Sequence, residues 1–164
     1  MPIGAADFIT QPSWGGLVLL QYLLFITMLI HFGFICMLMG GSTLSLVFNL
    51  LDKDSPNAKF RRLAHELMDK LTGNVWTGII FGLLPMITTI FLLWQLLYNI
   101  QIANMLRWWV AFGLLTLSLI FLYTYKNTFA VREKWFVLHF SSGLWGLLLL
   151  FGAYLKFVAN KSFL

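Results

Sequence analysis

Three histidines are the side chains of this sequence best suited to chemistry: His31, His65 and His139. His31 stands in "MLIHFGFICMLMGGSTLSLVFNLLDK", inside an apolar run from Gly15 to Leu51, with nothing charged between Asp7 and Asp52. An ionisable group in such a run is costly, which points to a function or to a partner that satisfies the ring. Neutral imidazole is the usual axial ligand of a b-type haem, so His31 is the first candidate for holding haem iron. His139, near the start of the last apolar run, is the second, on the same haem or on another. The competing reading for both is a ring hydrogen-bonded to a carbonyl or hydroxyl of a neighbouring helix, such as Thr27 or Ser142. His65 lies in "AHELMDK" and reads as part of a solvated helix face. Met28, Met37, Met39 and Met86 could supply a second axial ligand, and methionine also fills gaps between packed helices.

Whether one iron could join His31 to His139 depends on where the long first run enters the bilayer. Helices rise about 1.5 Å per residue. A span ending at Gly40-Gly41 would put the two rings level. A span over about 22–50 would hold them roughly 15–20 Å apart on the same scale. The sequence favours the second register, because Ser42–Leu51 stays apolar up to Asp52-Lys53.

The elements that position these residues follow from composition. The chain has 164 residues, 60% hydrophobic and 10% charged, with mean hydropathy +0.84, whereas soluble domains carry about 25% charge. Four runs are long enough to cross a hydrocarbon core: about 20–50, 75–98, 108–125 and 135–157. Backbone groups in lipid must be satisfied internally, so these are helices. The expected fold is an all-α integral membrane protein, a single domain over 1–164 forming a four-transmembrane-helix bundle. The loop between the first two spans opens with a turn at Ser55-Pro56. From Ala58 its apolar residues Phe60, Leu63, Leu67 and Leu71 recur three or four apart, which predicts a short cytoplasmic interfacial helix.

Charge placement sets the expected direction. Lys53, Lys59, Arg61, Arg62, Lys70, Lys126, Arg132 and Lys134 lie on one side, against Arg107, Lys156 and Lys161 on the other. Both connecting loops with the larger share are therefore expected in the cytoplasm and both termini in the periplasm of a bacterial inner membrane. Tyr98, Trp108, Trp109 and Trp135 fall where aromatic belts form. The opening MPIGAADFITQPSW has no basic segment, which predicts no cleaved signal peptide.

Pro85, in "GIIFGLLPMITTIF", removes a backbone hydrogen bond mid-span. Thr88 and Thr89 are within reach of the carbonyl it frees, and the kink either packs or opens room for a cofactor or quinone. Gly78, Gly82, Gly143 and Gly146 let helices approach closely; Gly33 beside His31 suits close packing or a flat macrocycle. A lone Cys36 excludes a disulfide framework or multi-cysteine metal site, and no CxxCH motif attaches a c-type haem. The net charge of +5 sits in short loops between apolar spans, which argues against nucleic acid. No Ser/His/Asp group, phosphate-binding loop or intramembrane carboxylate pair supports a hydrolase or a proton relay.

"FITMLIHFGFICMLMGGSTLSLVFNLL", a short charged segment, then "GNVWTGIIFGLLPMITTIFLLWQLLYN" resembles the N-terminal helices of the cytochrome bd quinol oxidase subunit I family. The likeness is closer to its shortened relatives, found beside multihaem c-type cytochromes. It covers about residues 20–125 and implies that His31 is an axial haem ligand. The family's quinol-binding loop and later haem ligands have no counterpart here, so the resemblance implies neither oxygen reduction nor independent quinol oxidation. The expected function is a membrane subunit of a respiratory electron-transfer complex. It would bind haem b, associate with other membrane subunits and lipid, and link a quinone pool to a periplasmic c-type cytochrome. One alternative is a cofactor-free structural or anchor subunit of a larger membrane assembly. Another is a haem-dependent enzyme similar to the four-helix membrane protoporphyrinogen oxidases, which also carry a first-helix histidine.

Overall fold

A computed structural model describes residues 14–52, 59–96, 102–131 and 134–158, and every regular element among them is helical. Four helices are long and apolar enough to cross a membrane: Trp14–Leu51, Val75–Leu96, Leu106–Val131 and Phe136–Lys156. The first is α1 (Trp14–Leu51), followed by the amphipathic α2 (Lys59–Thr72). The second long helix comprises α3 (Val75–Gly78), a π-helical stretch (Ile79–Leu83) and α4 (Leu84–Leu96). Helix α5 (Ile102–Asn127) passes through a 3₁₀ turn (Thr128–Val131) and is followed by α6 (Phe136–Val158). The expected turn at Ser55-Pro56 and the expected end of the second span at Tyr98 lie outside the described residues, as do Lys53, Arg132 and Lys161.

The buried face of helix α1 mixes polar and apolar side chains, while many of its apolar residues face outward. Ser42, Ser45 and Asn49 are fully buried, on a stripe with His31, Phe34, Ile35, Leu38 and Leu46. The i, i+3, i+7 spacing of the three polar residues puts them on one helix face. That face meets α2 through Ala64 and Met68, both fully enclosed. A Cβ at Gly41 would overlap Leu71, so glycine is what allows this approach. The buried stripe of α2 is Ala64, Met68, Leu71 and Thr72; Phe60 and Leu63, expected on the apolar face, are exposed. Helix α2 is thus rotated so that the stripe from Ala64 through Met68 to Leu71 turns inward.

Helices α5 and α6 form the tightest pair. A Cβ at Gly143 would stand 2.7 Å from Tyr125 Cδ2, and one at Gly146 would stand 2.9 Å from Leu122 Cδ2. Gly82 seats Phe34 of α1 and Gly78 seats Tyr123 of α5, so the small residues serve helix packing. Lys126, at the end of α5, reaches Asp69 of α2 at 2.8 Å and the Gly73 carbonyl. The two basic segments therefore meet at one end of the bundle. Trp108 does not join an aromatic belt. It is buried against Ile90 and Leu93, with Leu24, Met28, Phe32 and Phe112 around them, because its position faces α4. Trp109 and Trp135 are exposed.

Candidate functional site

His31 answers a break in the second long helix. Pro85 has no N–H, so the Phe81 carbonyl four residues earlier loses its helical donor. The π-helical stretch Ile79–Leu83 directly precedes it, as such bulges commonly do where the ladder is disturbed. The His31 ring faces the backbone of Phe81 and Gly82 with its Nε2 edge, since Nδ1 meets no hydrogen-bond partner among the described residues. Thr88, expected to help, donates instead to the Leu84 carbonyl at 2.9 Å, and Thr89 Oγ1 is buried with no hydrogen-bond partner among the described residues. The group that serves the broken turn thus comes from another helix.

Beside the His31 ring lies a cavity of ≈ 20 Å³ that Phe32, Ile35, Met86, Leu115, Leu150, Ala153 and Tyr154 also line. That volume holds one water molecule. Met86 is buried in the same wall, and histidine with methionine is an axial pair known for haem iron. Donation of one ring N–H to a carbonyl is also what a metal-ligating imidazole does. The donor set therefore matches a b-type haem, but the space does not. A bound macrocycle needs a pocket of at least about 300 Å³, so the side chains as they stand do not fit it. Met37 is exposed, while Met28 and Met39 pack into separate apolar clusters.

His139 is enclosed at the other end of the bundle, fully buried. Its ring stacks on Tyr125 at 4.5 Å and 22°, and the edge of Phe129 meets it at 4.5 Å. Thr128 Oγ1 lies 2.8 Å from His139 Nδ1 and donates its one proton to the carbonyl of Thr124 or Tyr125. With its proton directed to one of those carbonyls it accepts from His139 Nδ1–H, the tautomer assigned to the ring on that ground. The Tyr125 hydroxyl receives Asn49 Nδ2 at 3.3 Å and lies 3.2 Å from Ser45 Oγ. Ser45 donates to the Ala64 carbonyl at 3.0 Å. These groups tie α1, α2, α5 and α6 into one polar knot. The sequence offered a signal for it in Ser42, Ser45 and Asn49 on one face of an apolar run.

The structure keeps His31 and His139 apart. His31 stands level with Leu150–Tyr154 of α6, 11 to 15 residues beyond His139, or roughly 17–22 Å of helical rise. No single iron reaches both. His65 is exposed, as expected, with its ring edge-on to Phe129 at 5.0 Å. A crevice of ≈ 380 Å³ between α3, the π stretch and α5 is large enough for a quinone head. Its hydroxyls on Tyr123, Thr116 and Thr124 already donate to backbone carbonyls, which leaves the amide of Asn127, also in the lining, as the side-chain donor toward a quinone oxygen. No family model matches the chain, and no curated protein or solved structure matches it either.

Proposed function

We propose that this chain is a structural subunit of a larger assembly in a bacterial inner membrane, a bundle built to hold helices together without a cofactor. One observation carries the reading: neither candidate ligand ring has room for a macrocycle beside it, the cavity at His31 measuring ≈ 20 Å³ and His139 being enclosed by Thr128, Tyr125 and Phe129. Both connecting loops face the cytoplasm and both termini the periplasm, supported by the basic residues gathered at one end of the bundle.

Chain length supports a revised membrane register. The 37-residue run Gly15–Leu51 is about 55 Å long at 1.5 Å per residue. A core about 30 Å thick, crossed at tilts up to about 40°, takes about 26 of those residues. The crossing is therefore shorter than the 31 residues of 20–50, and about eleven residues of the run lie beyond the core. The amphipathic α2 then lies at the cytoplasmic interface with Phe60 and Leu63 toward lipid. The outer half of α1, Trp14–Ile30, contains no buried residue and presents Trp14, Tyr22 and Phe25 outward. Neighbouring subunits cover that face. A photo-crosslinking residue at Phe25 in native membranes should capture a polypeptide, and capture of lipid alone would overturn the assembly reading.

A second reading is the haem b subunit of an electron-transfer complex between quinone and a c-type cytochrome. The observation favouring it is that His31 and Met86 line one cavity. It requires the walls of that cavity to part, and a reduced-minus-oxidised spectrum of the purified chain separates it from the first.

A further inference from the structure

At the basic end of the bundle, α2 and the turn after α5 enclose a cleft of ≈ 400 Å³ lined by Arg61, Arg62, His65, Phe129 and Ala130. We infer that this cleft binds the headgroup of an anionic phospholipid, with the phosphodiester against the cationic rim and the glycerol end of the acyl chains against Phe129 and Ala130.

The chemistry of the two walls selects that ligand. Guanidinium groups present forked donors that match phosphate oxygens, and His65 adds a ring donor. Helix pairing sets the wall: His65 sits edge-on to Phe129, and Phe129 in turn packs on Tyr125. The opposite wall is aromatic and aliphatic and continues into the exposed Val131. A free phosphate ester would gain nothing from that wall, whereas a lipid uses both. Basic pockets between membrane helices on the cytoplasmic side are where anionic headgroups bind.

The carboxylates near the rim do not cancel it. Asp52 is a buried partner that holds Arg61 through Nε at 3.3 Å, and Glu66 holds Arg62 through Nε at 2.7 Å. Both contacts use the inner edge of a group with five N–H donors, and they orient the guanidinium planes. Across the described part of this end, Lys59, Arg61, Arg62, Lys70, Lys126 and Lys134 outnumber Asp52, Glu66 and Asp69.

The test is native mass spectrometry of the full chain in detergent with equal phosphatidylglycerol and phosphatidylcholine. The wild type should retain phosphatidylglycerol preferentially. Arg62→Gln with His65→Gln should weaken that retention about fivefold or more, as expected for removing a cation from the surface site. Lys70→Gln, an exposed cation of the same helix outside the cleft, should change it little. Arg62 is 84% exposed in its side chain, so its replacement leaves the fold intact. Equal retention of the two lipids would overturn the inference. So would an equal loss in Lys70→Gln, which would mean diffuse surface charge, or displacement of the lipid by an equal concentration of soluble glycerol phosphate.

Discussion

If the His31 ring serves the Phe81 carbonyl that Pro85 leaves without a donor, the two residues must be energetically coupled. Replacing His31 by Leu leaves the Phe81 and Gly82 carbonyls without the imidazole in an interior where His31 is 5% exposed. A buried polar group stripped of its partner costs about 1–3 kcal/mol. In membrane bundles the measured value of such a contact is smaller, about 0.6 on average and 1.7 at most. We therefore expect His31→Leu to destabilise the bundle by about 1–2 kcal/mol. Pro85→Ala restores an N–H that competes for the Phe81 carbonyl, so it should remove much of that cost. The four chains of this double-mutant cycle can be compared by reversible unfolding in mixed micelles. The coupling should be about 1 kcal/mol, roughly fivefold in the unfolding constant. Costs that add within about 0.3–0.5 kcal/mol, as independent sites do, would refute the link between the histidine and the proline.

Two further outcomes follow from the other end of the bundle. Tyr125→Phe removes the hydroxyl that receives Asn49 and neighbours Ser45 while keeping the stack on His139, and should lower stability by about 1 kcal/mol in the same unfolding assay. The Lys126 ammonium, hydrogen-bonded to Asp69, holds that carboxyl below the usual carboxylate range. A lowered folded-state pKa stabilises the native state above the ordinary carboxylate value and loses that contribution as pH falls below about 4. Lys126→Met should abolish this acid-limb step, and since Asp69 is exposed the step should be small and shrink with salt.

The four long helices were legible because apolar runs of that length leave few alternatives, and α2 was legible from its three-and-four spacing. What escaped was which face each helix turns inward. Periodicity of apolar residues identifies a buried face only when water is outside; in α1 the inward face mixes Ser42, Ser45 and Asn49 with Phe34, Ile35, Leu38 and Leu46, and apolar residues also face out, so apolarity does not mark it. The pairing of α2 was hidden too: Ala64, Met68 and Leu71 form its buried stripe, while Leu63 of the same apolar series stays exposed. Trp108 was misplaced because an interfacial position in sequence says nothing about rotation toward α4. Pro85 was visible as a break, and His31 as an ionisable group in an apolar run. That the second repairs the first is a contact between helices some fifty residues apart in the chain, which local spacing does not encode. The separation of His31 from His139 was legible only as one of two outcomes, since it depends on how α1 is offset along α6 as well as on helical rise.

The most direct measurement is the reduced-minus-oxidised spectrum of the purified full chain, with thermal unfolding of wild type and His31→Ala alongside. If His31 is a packing residue, neither protein shows a b-type haem band, and His31→Ala unfolds at lower temperature. A haem band in the wild type that disappears in His31→Ala would contradict the account and place a ligand where we find a brace.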